Sequence, residues 1–142
     1  MDTTKFVNLS AYAERKQVQG EVVNVLDAKA ECRGLWLIST YSRVITKYSI
    51  HELILTDESV PKLGEAVNRI AYLCFFEVTE GGVILVRDKL YCGDQLIGTI
   101  KGFDESHMPN HLNIIVYAEP RKTGKELGFA VGSKLRFQAS NV

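Results

Sequence analysis

From residue 18 onward the chain repeats one pattern: short apolar runs rich in β-branched and aromatic residues, separated by glycine, aspartate, asparagine or proline clusters. Runs of this kind read as strands. Val22, Val23, Val25 and Leu26 open the series, and residues 27–34 form a charged connection. Residues 35–40 and 44–56 are the next two predicted strands. In the second, alternation places Ile50, Glu52 and Ile54 on one face and His51, Leu53 and Leu55 on the other. Pro61 and Gly64 mark 57–64 as a loop. The apolar run 66–78 is read as a strand, and Gly81-Gly82 after it as a two-residue hairpin turn leading into a return strand over 83–91. Gly93-Asp94 suits a type II′ turn into a strand over 95–103. Strands over 112–118 and 134–138 follow, the two separated by a basic, glycine-containing loop at 120–128.

Many short strands with tight turns predict an all-β protein: a single small antiparallel β-barrel with at most one or two short helices. Residues 1–16 form a polar N-terminal segment, in which Asn8 or Ser10 could cap a short helix through Lys16, and the barrel occupies 17–142. The expected core is Val22, Leu37, Leu53, Leu55, Ile70, Leu73, Phe75, Ile84, Val86, Ile97, Ile100, Ile114 and Val116.

Composition narrows the function classes. With 142 residues, 46% of them hydrophobic, the chain can bury a full core as one domain. Seventeen basic and seventeen acidic residues cancel, and no basic stripe interleaved with aromatics is present, which argues against a nucleic-acid partner. A near-zero net charge gives little colloidal repulsion and is compatible with a homo-oligomer. No apolar run reaches the roughly 18 residues of a membrane span, and the start is too polar for a signal peptide, so a cytoplasmic protein without a membrane partner is expected. Cys32, Cys74 and Cys92 are odd in number and lack a Cys-x-x-Cys pair, as expected of reduced thiols. The run Arg121-Lys122-Thr123-Gly124-Lys125 lacks the upstream glycine of a phosphate-binding P-loop.

Candidate chemistry concentrates in one stretch, Gly98-Thr99-Ile100-Lys101-Gly102-Phe103-Asp104-Glu105-Ser106-His107-Met108-Pro109-Asn110-His111-Leu112-Asn113-Ile114-Ile115-Val116. It holds two of the three histidines, two carboxylates and two asparagines. Pro109 disfavours a helix here, and Pro109-Asn110 suits the centre of a type II turn instead. Histidine titrates near neutrality, so His107 and His111 with Asp104, Glu105 and Glu52 form a candidate acid–base set. Asn110, Asn113 and Arg69 are candidate substrate-binding residues. If His51 joins from a neighbouring strand, His51, His107 and His111 are a candidate centre for a divalent metal ion, zinc or iron. Against these stands a purely structural reading: Asp104, Ser106 and Asn110 are residue types that hold turns by side chain to backbone bonds.

The order of the C-terminal half carries a resemblance. A glycine turn, Val83-Ile84-Leu85-Val86, a second turn, Ile97-Gly98-Thr99-Ile100, Phe103-Asp104, a proline-centred turn, a β-run and Gly132-Ser133-Lys134-Leu135-Arg136-Phe137 follow one another. This order resembles the glucitol/sorbitol-specific phosphotransferase IIA proteins, and the resemblance implies a small closed barrel. That family carries its phosphoryl group on a histidine before the glycine turn. Here the region reads Tyr72-Leu73-Cys74-Phe75-Phe76-Glu77-Val78, without a histidine. The stretch also resembles an uncharacterised bacterial family with a His-Met/Phe-Pro-Asn-His loop after Gly-Phe-Asp, from which no activity follows. Two functions remain open: a small-molecule enzyme using histidine and carboxylate proton transfer at the 104–111 loop (isomerase, lyase or hydrolase type, with or without a metal), or a non-catalytic binding or accessory barrel. The first expects a small-molecule ligand in a concave pocket, the second a flat apolar patch.

Overall fold

A computed structural model describes residues 12–140. The strands are β1 (Val18–Val25), β2 (Lys29–Ala30), β3 (Leu35–Trp36), β4 (Ser42–Ile45), β5 (Ile50–Thr56), β6 (Ala66–Val67), β7 (Ile70–Glu80), β8 (Gly82–Leu85), β9 (Lys89–Cys92), β10 (Gln95–Asp104), β11 (Asn113–Tyr117) and β12 (Lys134–Gln138). Among the described residues there is no helix, and hence none long and apolar enough to cross a membrane. The expected N-terminal cap at Asn8 or Ser10 lies outside the described residues; residues 12–17 carry no regular structure.

The protein is all-β, as its alternation predicts. Its main sheet runs β1-β12-β9-β10-β11-β5-β7, and β7 pairs back onto β1. These pairings close the sheet on itself, so these seven strands leave no open edge between them. The expected antiparallel arrangement needs one correction. β11 and β5 are parallel, with Asn113 opposite Glu52 and Tyr117 opposite Thr56. A parallel pair needs a long crossover rather than a hairpin, and the chain between them builds β6 to β10.

Closure explains the cores. Inward side chains from all seven strands form one cluster, including Val22, Leu53, Leu55, Phe76, Leu90, Ile100, Phe103, Ile114, Val116 and Phe137. A second cluster, Leu35, Leu37, Ile54, Val67, Ile70 and Ile115, packs on the outside. It is roofed by the small β3–β6 ladder, in which Leu35 faces Val67 and Trp36 faces Ala66. β5 and β11 are therefore apolar on both faces, as parallel strands usually are.

Three expected elements changed. Gly81-Gly82 is not a hairpin turn: β8 leaves β7 and pairs with β4, Ser42 opposite Leu85 and Ile45 opposite Gly82. Glycine is required at 81 because a Cβ there would lie 2.8 Å from the Ile45 carbonyl oxygen. The expected strands over 44–56 and 83–91 each break where a residue takes positive φ, Tyr48 at 77° and Arg87 at 83°. The second break is held by buried Asp88, which accepts the Leu85 N–H at 2.9 Å and two bonds from Arg15, at 2.8 and 2.6 Å. Gly93-Asp94 is a tight turn as expected, with Cys92 opposite Gln95 and Gly93 at φ 59°. Of the expected core residues, Phe75 and Val86 are only half-buried. Phe76 takes the inward place instead, because Phe75 faces out with Glu52.

Leu53 is fully buried within the ring. Leu53→Ala is expected to lower the unfolding free energy by about 2–5 kcal/mol. Gly124→Ala is expected to destabilise as well, since a Cβ there would stand 1.9 Å from the Leu73 carbonyl oxygen. Urea unfolding of the two variants checks both; a Gly124→Ala midpoint equal to wild type would contradict the packing described.

Candidate functional site

On the outer face of the sheet, register sets four residues in one row. Phe75 on β7 is opposite Glu52 on β5, Glu52 is opposite Asn113 on β11, and Asn113 is opposite Asp104 on β10. Register partners project to the same face. Leu112 and the 105–111 loop lead directly into this row.

Asp104 holds the loop. Its Oδ2 accepts the Trp36 N–H at 2.8 Å; its Oδ1 accepts the Ser106 N–H at 2.9 Å, Asn113 Nδ2–H at 3.1 Å and the Ser106 hydroxyl. Burial raises the cost of its charge, but the donors from Ser106, Trp36 and Asn113 outweigh it, and the carboxyl is held below its ordinary range. A carboxylate so saturated is a poor proton acceptor, which places Asp104 with the structural anchors rather than the expected acid–base groups. Glu105 leaves that set too: it is exposed and forms an ion pair with Arg43.

The turn is centred one residue earlier than Pro109-Asn110. Asn110 N–H donates to the His107 carbonyl at 2.9 Å, with Met108 and a cis-linked Pro109 between them. This brings the His107 and His111 rings into a stack, centroids 5.0 Å apart and planes inclined 30°. His111 also meets Phe75 edge-on, at 5.0 Å and 81°. Its Nε2 lies 3.1 Å from Glu52 Oε1, with side-chain exposures of 13% and 7%. Its Nδ1 lies 3.0 Å from Asn110 Oδ1, an acceptor, so Nδ1 carries a proton and Nε2 faces Glu52. Burial pushes the Glu52 carboxyl up; its hydrogen bond to His111, the two histidines and Arg33 oppose that rise without cancelling it.

Arg33 completes the group. It donates from Nη2 to His107 Nε2 at 3.1 Å and from Nε to the Tyr72 hydroxyl at 3.2 Å. Arginine has no acceptor, so His107 Nε2 presents its lone pair and the proton sits on Nδ1. Nothing in the pattern of the chain marks Arg33, Tyr72 or Phe75 for this place. Arg33 and His107 are 74 residues apart in sequence.

The three-histidine metal centre is not assembled. His51 Nδ1 accepts the Leu112 N–H at 3.1 Å. Its Nε2 lies 3.0 Å from Ser49 Oγ, whose own proton goes to the Thr46 carbonyl at 2.6 Å, so Nε2–H is the donor. Both nitrogens are committed and no lone pair is left for a cation. His107 Nε2 faces a guanidinium. Among the described residues no group of three or more histidine, cysteine, aspartate or glutamate side chains is placed to hold a metal ion. Arg69 is also elsewhere. It makes two bonds to Asp57, at 3.2 and 3.1 Å, and one to Glu31 at 3.0 Å. There it borders a cavity of about 620 Å³ with Lys29, Glu119 and Arg121. A second cavity, of about 370 Å³, lies by Arg15, Val83 and Phe137. The Glu52–His111 pair borders neither; it is largely covered, with exposed His107 beside it. Asn113, fully buried, keeps one feature of interest: among the described residues its Oδ1 has no hydrogen-bond partner.

A family model matches residues 12–138, nearly the whole described chain. The chain belongs to DUF6917, a family of unknown function. No curated protein and no solved structure matches it. The expected membership of an uncharacterised family therefore stands at that level, and the similarity to the phosphotransferase IIA barrels finds no support in the comparisons. For this DUF6917 protein, function has to be argued from the site itself.

The half-buried His51 makes stability pH-dependent. Burial first, then the nearby His111 and Arg43, push its pKa below the ordinary value. The unfolded chain takes up the proton near pH 6.5 and the folded chain only lower, so the unfolded state binds more protons in that window. His51 thus contributes fully above about pH 6.5, and its contribution is lost as pH falls through the depressed value. His51→Asn, whose Oδ1 can still accept the Leu112 N–H, is expected to flatten the stability difference between pH 7.5 and 5.5 in denaturant unfolding; an unchanged slope would contradict a neutral His51 with a depressed pKa.

Proposed function

We propose that the protein is a small-molecule enzyme working by proton transfer, with Glu52 and His111 as the acid–base pair at the end of the 104–111 loop. One observation carries this reading: a buried carboxyl with raised pKa lies 3.1 Å from the imidazole nitrogen that has no other partner among the described residues. The pair holds one shared proton. With it on Glu52 the pair is carboxylic acid and neutral imidazole; with it on His111, carboxylate and imidazolium. The two forms have the same net charge, so the proton can move between them without an added charge being buried. Such a pair can take a proton from one position on a bound molecule and return it to another, the elementary step of isomerisation and elimination, or it can activate water for hydrolysis. Asn110 holds the His111 tautomer, and His107 stacks over its face. Arg43, on Glu105, and Asp104 set the loop that carries them.

Glu52→Gln tests the assignment, because it keeps the shape and removes the exchangeable proton. Turnover of a substrate found by screening small-molecule mixtures is expected to fall by about 10²–10⁴-fold. Stability should change with pH as well. A carboxyl with raised pKa contributes fully below its unfolded pKa, and that contribution is lost as pH rises through the folded value. Above that pH the wild type holds a costly buried charge that Glu52→Gln does not, so the stability of the wild type relative to the variant in urea is expected to fall as pH is raised. Turnover that survives in Glu52→Gln would remove Glu52 from the reaction and the acid–base reading with it; no turnover of any screened substrate by the wild type would favour a non-catalytic binding barrel.

A further inference from the structure

Every carboxylate near the histidine pair is already engaged. Glu105 is paired with Arg43, Glu52 with His111, and Asp104 accepts four hydrogen bonds. The half-buried Arg33 is engaged by none of them: among the described residues its guanidinium meets only neutral groups, the Tyr72 hydroxyl and His107 Nε2. These two partners occupy Nε and one hydrogen of Nη2. They fix the plane of the group and leave Nη1 with the second Nη2 hydrogen facing no described acceptor. That end-on fork is the edge on which a carboxylate or phosphate binds with two parallel bonds. Arg33 is close enough to Glu52 for its charge to act on that carboxyl. An anion bound on the fork would therefore lie beside the proton-transferring pair.

We propose that Arg33 docks an anionic oxygen group of the substrate, a carboxylate or a phosphate, end-on through Nη1 and Nη2 next to Glu52 and His111. This rests on the acid–base reading for what happens after binding, but the binding itself is independent of it. The substrate class is a small oxyanion-bearing molecule whose reacting position lies a short distance from its charged group. The uncompensated charge of Arg33 supplies the attraction, and Tyr72 and His107 supply orientation. Oriented in advance, the guanidinium loses less freedom when the anion arrives.

The experiment uses the full chain and three probes: benzoate, phenyl phosphate and neutral benzamide. The His107 and His111 imidazole resonances are followed during each titration. At least one anion is expected to shift both rings, and benzamide to shift neither. Arg33→Gln should weaken the anion by roughly tenfold or more, the usual weight of a charged hydrogen-bonded contact. Arg33→Lys, which keeps the charge but loses the fork, should fall between. Tighter benzoate assigns a carboxylate substrate, and tighter phenyl phosphate a phosphate ester. No shift with either anion, equal binding of benzamide, or binding unchanged in both Arg33 variants would overturn the proposal. Anion binding that depends on Arg33 while Glu52→Gln keeps turnover would remove the acid–base reading alone; the reverse pattern would remove this inference alone.

Discussion

The structure depends on a parallel pair of strands buried on both faces. β5 and β11 send Leu53, Leu55, Ile114 and Val116 into the closed sheet and Ile54 and Ile115 outward, where solvent would otherwise meet them. Fully burying a Leu or Ile side chain is worth about 1.5–3 kcal/mol. The outer pair is therefore a sufficient reason for the chain to spend residues 35–37 and 63–67 on a roof. The roof has consequences beyond packing. It brings the backbone N–H of Trp36 to Asp104 and carries Arg33, at its near end, to the histidines. Parallel register then places Glu52 and Asn113 side by side just where the roof ends.

Two buried carboxyls in one row of that face end in opposite states. Asp104 and Glu52 are both nearly inaccessible, at 2% and 5% exposure, so desolvation disfavours the charge of each. The difference is the number of donors. Asp104 accepts bonds from two backbone N–H groups, a hydroxyl and an amide, and its carboxyl is held down. Glu52 has the His111 ring alone as its hydrogen-bonding partner among the described residues, and its carboxyl is pushed up. The first is an anchor because its charge is fully solvated by protein; the second is pushed toward its neutral form because its charge is not. Asn113 stands between them. Its amide N–H serves Asp104, and its Oδ1, without a partner among the described residues, adds no donor that would favour the charged form of Glu52.

The alternation of the chain was enough to predict an all-β protein, the inward faces of β5, β10 and β11, the tight turn at Gly93-Asp94, and the concentration of polar chemistry in residues 104–113. These are local properties: a period of two, a glycine able to take positive φ, a cluster of side chains within ten positions. Pairing partners are not local. Gly81-Gly82 reads as a hairpin, but β8 pairs with β4 because that register lets the backbone of 45–47 pass within contact of a residue without Cβ. Phe75 and Phe76 are indistinguishable in the sequence, and only the register against Glu52 and His51 decides which faces in.

The candidate site divides in the same way. His107, His111 and Glu52 are visible as residue types able to transfer protons. Which of them meet is decided by the fold, because Glu52 and His111 are 59 positions apart. His51 looks equivalent to the other histidines until its two nitrogens are seen bonded to Leu112 and Ser49. Arg69 looks like a binding residue until Asp57 and Glu31 take its charge, while Arg33, unremarkable in a charged connection, meets no carboxylate among the described residues and lies beside the imidazoles. The sequence by itself determined the kinds of chemistry on offer and the strands that carry them. Only the tertiary structure decided which charges are compensated and which hydrogen-bonding atoms are spent, because both depend on neighbours that the chain brings together across dozens of residues.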